Sequence, residues 1–455
     1  MNPRLRIVAS FRRELSDWRL WLARGVVIAV AAAAGLTVVA FTWMTEHALD
    51  AFRALRTHWW WAPLIVTPLL TAAIVWATRR FAPGAAGSGI PQVMAALDPS
   101  VPGEHRGLFV SLRLTVAKMV LTTAGLLGGL SLGREGPSVQ IAAGVMHAAR
   151  RWLPKRSAVT EQGLLVAGGA AGIAAAFNTP LGGVMFAIEE LSRRPEQRNS
   201  GLIIAAIVLA GLVAVSIFGN GTYFGVIQVP ALDLSLLGPG VLVALGGGLA
   251  GGLFSRLLIA SLAGRSNDPA SRWRARRPVL FAAACGLGVA VIGVATGGVT
   301  FGSGYTPTRQ MLEGGETVPG LHLVLKFIAT WLTAWSGVPG GIFAPALAIG
   351  ASLGNDVALL TGYPHAPALI ALGMAAFLAA ATQAPLTAFI IVMEMVDGHA
   401  MVLSLMACAL VASGLSRMIS RPLYGTLARA QLQRLPPPPE AEADAVRAAP
   451  SPDRP

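Results

Sequence analysis

Apolar residues run for about the length of a bilayer crossing near 22–43, 61–78, 107–130, 201–218, 238–262, 278–296, 321–336 and 400–418. A helix needs roughly 20 such residues to cross the hydrocarbon core, so each stretch predicts a membrane span. Shorter apolar pieces lie between them at 138–149, 163–176, 180–191, 366–381 and 385–396, broken by Gly and Pro. A helix interrupted at membrane depth survives only where protein packs around it or a polar cavity runs beside it. The pattern therefore predicts an all-α integral membrane protein with broken helices around an internal polar path. Elsewhere along the chain, glycine serves close helix packing.

The pattern is written twice. Residues 174–190 read AAAFNTPLGGVMFAIEE and residues 379–395 read AAATQAPLTAFIIVMEM, so Pro180, Leu181 and Glu189 return as Pro385, Leu386 and Glu394. Upstream, GREGPSVQIAAG at 133–144 faces GIFAPALAIGAS at 341–352. Internal repeats in a transporter place the substrate where interrupted helices of both halves meet, with half-helix N-termini aimed at an anion. The organisation that follows is a cytoplasmic segment over 1–20, a membrane domain over 21–430 and a disordered Pro-rich cytoplasmic tail over 431–455. Within the domain, one repeat covers about 60–220 and the other about 238–425. The sequence leaves the relative orientation of the repeats open.

Composition agrees. The 455 residues are 54% hydrophobic and 13% charged, and mean hydropathy is +0.62, which excludes an ordinary soluble protein. The net charge of +13 gathers in short polar breaks, Arg4–Arg24, Arg150–Arg156, Arg193–Arg198 and Arg265–Arg277, as the positive-inside rule describes. These loops and both termini are expected in the cytoplasm, facing anionic lipid and not nucleic acid. Cys285 and Cys408 sit in apolar runs far apart and read as core residues, with neither a disulfide framework nor a metal cluster available.

The candidate chemistry is concentrated in Gly133-Arg134-Glu135-Gly136-Pro137. Ionisable residues at membrane depth cost about 2.5–3.5 kcal/mol and mark function by default; the expected partner is a transported anion that competes with Glu135 for one site. Pro91, Pro137 and Pro345 each fit the first turn of a helix. A helix opening after a Gly-rich turn presents unpaired N–H groups and about half a positive charge, which suits an anion. Several such ends make an anion site without a full cation, weak enough for release.

Three signatures now stand in order: Gly87-Ser88-Gly89-Ile90-Pro91, Gly133-Arg134-Glu135-Gly136-Pro137 and Gly341-Ile342-Phe343-Ala344-Pro345. From about Arg19 to Arg429 the chain resembles the CLC family of chloride channels and proton-coupled chloride exchangers. The resemblance implies a fold of two inverted-topology repeats with tilted, broken and re-entrant helices. It implies chloride as bound substrate, no other cofactor, a homodimer built on the 201–218 and 400–418 regions, and a multi-pass protein of a bacterial inner membrane. It also implies no enzyme activity, in line with the missing His-Glu-x-x-His metal motif and phosphate loop.

The resemblance assigns roles residue by residue. Ser88 offers its hydroxyl to the anion, where by itself it reads equally as a helix cap. Gly133, Arg134, Glu135 and Gly136 line the site; Ile342 and Phe343 give backbone N–H groups, and Phe343 adds a hydrophobic gate. Tyr424 points its hydroxyl at the site from the other side, where by itself it reads equally as an interfacial anchor. Glu135 is the gate and Glu190 the internal proton relay, with pairing to Arg193 or Arg194 as the latter's alternative; Glu189 and Glu394 are supporting carboxylates. Arg134 supplies positive potential or snorkels to the membrane surface. Lys118 raises the potential or, on the reading preferred here, pairs with a buried acid. Gln92, where many relatives carry an acid, departs from the pattern, as does Leu-Ser-Arg-Arg after Glu190. Two further functions fit the scaffold, a passive anion channel and a fluoride exporter; Glu135 with Glu190 favours chloride/proton exchange.

Overall fold

The computed structural model describes residues 18–154, 159–192, 200–219, 221–227, 234–264, 268–314 and 321–433. Among them are α1 (Trp18–His58), α2 (Pro63–Phe81), α3 (Ile90–Leu97), α4 (Leu112–Leu127), α5 (Glu135–Ala148), α6 (Glu161–Phe177), α7 (Pro180–Phe186), α8 (Ser200–Phe218) and α9 (Leu237–Leu262). There follow α10 (Pro269–Arg276), α11 (Pro278–Ala295), α12 (Tyr305–Leu312), α13 (Leu321–Ser336), α14 (Phe343–Thr361), α15 (Ala366–Thr382), α16 (Pro385–Met395), α17 (Val402–Ile419) and α18 (Leu423–Leu432). The protein is an all-α membrane protein. Its described residues form no strand, only an isolated antiparallel bridge between Gly133 and Gly341.

Eight helical stretches are long and apolar enough to cross a membrane. Seven coincide with stretches read from the sequence. The expected span at 321–336 is instead the 16-residue α13, and its place is taken by α14, mostly buried by its neighbours. The first span is also longer than its apolar run: α1 extends over 41 residues, or about 60 Å at 1.5 Å per residue. Among the described residues, helical structure runs from Trp18 to Leu432. Residues 1–17 and the tail from 434 lie outside the described residues.

The two halves answer each other bond for bond. Gly133 N–H donates to the Gly341 carbonyl and Gly341 N–H to the Gly133 carbonyl, both at 2.8 Å. Glu189 accepts from the amides of Leu386 (3.1 Å) and Thr387 (2.7 Å), while Glu394 accepts from those of Leu181 (3.1 Å) and Gly182 (2.7 Å). These are equivalent positions in the repeated sequence, and reciprocal bonding of equivalent groups requires a local two-fold axis. The carboxylates occupy the amino ends of α16 and α7, where Pro385 and Pro180 open the helices and the helix dipole favours a negative charge. Asn178 and Gln383 match as well: both close a helix in the left-handed conformation, at φ 58° and 62°. In each half a helix that begins at a charged or apolar motif packs along an Ala- and Gly-rich neighbour, α5 along α6 and α14 along α15.

Candidate functional site

The three Gly/Pro signatures meet at the centre through their backbones. The Gly87 carbonyl accepts from Gly340 N–H at 3.1 Å, and Gly341 exchanges bonds with Gly133. Beneath them lies Lys118, wholly buried, whose Nζ donates to the carbonyls of Ala85 (2.8 Å) and Gly87 (2.5 Å). The preferred reading of Lys118 as partner of a buried acid is therefore corrected. Its N–H donors are spent on backbone carbonyls, which holds the loop before Ser88 in place. Gly87 and Gly89 take φ of 74° and 108°, which only glycine adopts without strain. Gln92 completes the loop, its Oε1 accepting from Gly89 N–H at 3.0 Å and its Nε2 donating to the Ala86 carbonyl.

Loop geometry frees Ser88 from capping. The residue before α3 is Gly89, not Ser88, and Ser88 Oγ is buried with no hydrogen-bond partner. The hydroxyl of Tyr424, a residue 1% exposed, likewise closes no full hydrogen bond, and the group it approaches is Ser88 Oγ itself. Ser88 and Tyr424 line one cavity of about 130 Å³ together with Ile342 and Gln92, and the Tyr424 ring stacks on Phe343 at 6.1 Å between centroids. Phe343 is in turn flanked by Phe177 and Phe186. Ile342 precedes the first residue of α14, so the amides that open this helix belong to the same neighbourhood.

Glu135 is the first residue of α5 and is wholly buried. Its carboxylate turns toward the amides of Arg134, Glu135 and Ala344 without closing a full hydrogen bond to any of them. It therefore lies at the amino ends of both α5 and α14. A Cβ at Gly133 would displace the Glu135 carboxylate, and one at Gly136 would crowd both the hydroxyl and the backbone carbonyl of Ser88. The Gly133 amide is taken by Gly341, so it is no free donor for an anion.

Arg134 does not snorkel. Its Nη1 bonds Glu46 Oε1 at 2.8 Å, and the guanidinium stands over the Tyr223 ring at 5.9 Å. Glu46, Arg134, Glu135 and Tyr223 line a cavity of about 380 Å³ with Asp50, Arg53, Ser303 and Tyr305. A separate cavity of about 490 Å³ holds Tyr424, Glu190, Gln383, Arg417 and Arg421. Glu190 also lines a third cavity, about 420 Å³, with Asp98, Gln162 and Arg429. It sits in a π-helical turn, Ala187–Leu191, a local irregularity of the kind found at functional positions. Arg193 and Arg194, its alternative partners, lie outside the described residues.

Sequence reading missed Glu46 and Tyr223, which carry no motif and reach the site from distant segments. It also missed a signal that was present: Gly302-Ser303-Gly304 repeats Gly87-Ser88-Gly89, and wholly buried Lys326 donates to the Thr300 (2.8 Å) and Gly302 (2.7 Å) carbonyls just as Lys118 does in the first half.

Comparison with known proteins agrees with this architecture. A family profile described as voltage gated chloride channel matches residues 70–417. A protein of Salmonella paratyphi A named H(+)/Cl(-) exchange transporter ClcA is 30% identical, over 86% of this chain and 85% of its own length. A Klebsiella pneumoniae protein of the same name is 31% identical, over 88% and 87%. Among solved structures, a slow cyanobacterial Cl-/H+ antiporter superposes with TM-score 0.74 at 24% identity, covering 91% of this chain and 98% of that one. A CLC-type fluoride/proton antiporter gives 0.73 at 22%, over 90% and 99%; at these identities both speak for the fold alone.

Proposed function

Because the chain belongs to the voltage gated chloride channel family, the CLC family, whose members are transport proteins and not enzymes, we propose that it exchanges chloride for protons across the membrane. The observation that carries this reading is the cluster of buried polar atoms at the centre that close no full hydrogen bond: Ser88 Oγ and Tyr424 Oη, which approach each other, and both oxygens of Glu135. An unsatisfied buried polar group costs about 1–3 kcal/mol, and these surround the positive ends of two helices. A small anion between the hydroxyls and the amides opening α14 satisfies them. The carboxylate of Glu135 competes for the same positive ends when ionised and gives way when protonated, which links proton uptake to anion passage.

The Glu135 cavity is the outer mouth on this reading and the Tyr424 cavity the inner one, following the orientation set by the basic loops. Glu190, exposed to two inner cavities, takes protons from the cytoplasm by a route that diverges from the anion's at Tyr424. Gln92, tied into its own loop, takes no part in that relay. Chloride is the preferred anion, as the signatures at Ser88 and at Arg134 to Pro137 are kept. Fluoride is the lesser reading. The protein works as a homodimer in a bacterial inner membrane, joined through the exposed apolar faces of α8 and α17, which include Leu212 and Leu403.

Proton uptake by proteoliposomes under an imposed chloride gradient, with the potential clamped, tests the proposal. Wild type drives protons uphill; Glu190→Gln moves chloride without them. Chloride flux with no proton movement in wild type makes the protein a passive channel and returns Glu190 to a helix-end charge.

A further inference from the structure

The backbone of Arg134 is fixed, but its side chain is held from outside its own helix. Arg134 lies between the Gly133–Gly341 bridge and the first turn of α5, where its carbonyl accepts from Ser138 N–H at 2.9 Å. Its guanidinium is set by two other segments, α1 through Glu46 at 2.8 Å and the stretch after α8 through the Tyr223 ring. The side chain of Arg134 is 13% exposed and that of Glu46 53%. A pair so open on one side adds little to stability, so its consequence is where it puts the cation. Asp50, the other acid of α1 in this cavity, is paired with Arg53 at 3.2 Å. The charged and titratable groups facing Arg134 are thus Glu46 and the Asp50–Arg53 pair from α1, Glu135 from α5, Tyr223, and Tyr305 from α12.

We infer that Glu46 is a positioning residue for the gate: with Tyr223 it holds the Arg134 guanidinium across the mouth of the cavity above Glu135, as a cation shared between two carboxylates. The inference rests on Glu135 being the gating carboxylate. With Glu46 intact, Arg134 divides its field between Glu46 and Glu135, and its guanidinium is drawn toward Glu46. Without it, the nearest unengaged carboxylate is that of Glu135 itself. The gate is then held in its ionised form by an adjacent cation, and an anion arriving at the mouth meets an uncompensated guanidinium.

Two readouts test this, one of which does not depend on transport. In a Glu135→Cys background the native thiols Cys285 and Cys408 are buried, so charged methanethiosulfonates report on the new thiol. Adding Glu46→Gln raises the ratio of anionic to cationic reagent rates about tenfold, whereas Asp50→Asn, which removes an acid of the same cavity without releasing Arg134, moves it far less. Equal effects of the two substitutions, or none from Glu46→Gln, overturn the inference whatever the protein transports. In proteoliposomes with Glu135 intact, Glu46→Gln moves the external-pH midpoint of chloride flux to lower pH by about one unit, and Glu46→Asp restores part of the shift. A superimposable pH profile also overturns it, while failure of wild type to carry chloride at all strikes the proposed function and leaves the thiol ratio to decide this point.

Discussion

Gly87-Ser88-Gly89 and Gly302-Ser303-Gly304 hang from two buried lysines in the same way and finish differently. Lys118 and Lys326 each donate to two carbonyls of the loop ahead of the serine. All four glycines take positive φ, and each loop opens a helix of eight residues. In the first half Ser88 Oγ stays unpartnered while Gln92 caps the loop. In the second, Ser303 Oγ accepts from Tyr305 N–H at 3.4 Å, and Arg53 of α1 donates to Thr306 Oγ1 at 2.8 Å. One loop leaves its hydroxyl to a visitor; the other spends it locally. A duplicated scaffold has thus kept its mechanical parts in both halves and, on the proposed function, its anion chemistry in one.

The largest effects expected concern what the halves share. Lys118→Met and Lys326→Met each strand two buried carbonyls and lower stability by about 2–4 kcal/mol, read as a fall in the thermal unfolding midpoint in detergent. Lys118→Met alone also weakens chloride binding, because only its loop carries a free serine; equal losses of binding in both would erase the distinction. Next come the reciprocal caps. Glu189→Gln and Glu394→Gln each keep one neutral bond and set an NH2 against the second amide, at a cost of about 1–3 kcal/mol, and the two midpoints should fall by similar amounts. The smallest effect is the sharpest: Ser88→Ala weakens chloride binding by calorimetry about fivefold, the loss of one hydrogen bond, and Ser303→Ala changes it less than twofold.

Much of this was legible in the sequence, and what was not has physical reasons. The repeat at 174–190 and 379–395 showed itself because Glu189 and Glu394 must each sit at an intact helix end of the other half. Gly133 to Pro137 stood out because charge in an apolar run is costly. Lys118 was misread because carbonyl partners leave no mark in a sequence, while an acid would. The first span was cut short at residue 43 because Glu46, Asp50 and Arg53 end the apolar run; the helix continues to His58 because those residues face a polar cavity. Glu46 was lost with them. The second Gly-Ser-Gly could have been found by its tripeptide, but it precedes the polar Tyr305-Thr306-Pro307-Thr308, which hides it from a search keyed to apolar context.

Anomalous scattering from bromide in crystals of wild type and Glu135→Gln tests most directly whether the centre is an anion site shared with a carboxylate. A peak between the hydroxyls of Ser88 and Tyr424 in both proteins is expected, with a second peak, only in Glu135→Gln, where the carboxylate had stood at the amino ends of α5 and α14. Bromide at Ser303 and Arg53 instead, or the same peaks in both proteins, would contradict it.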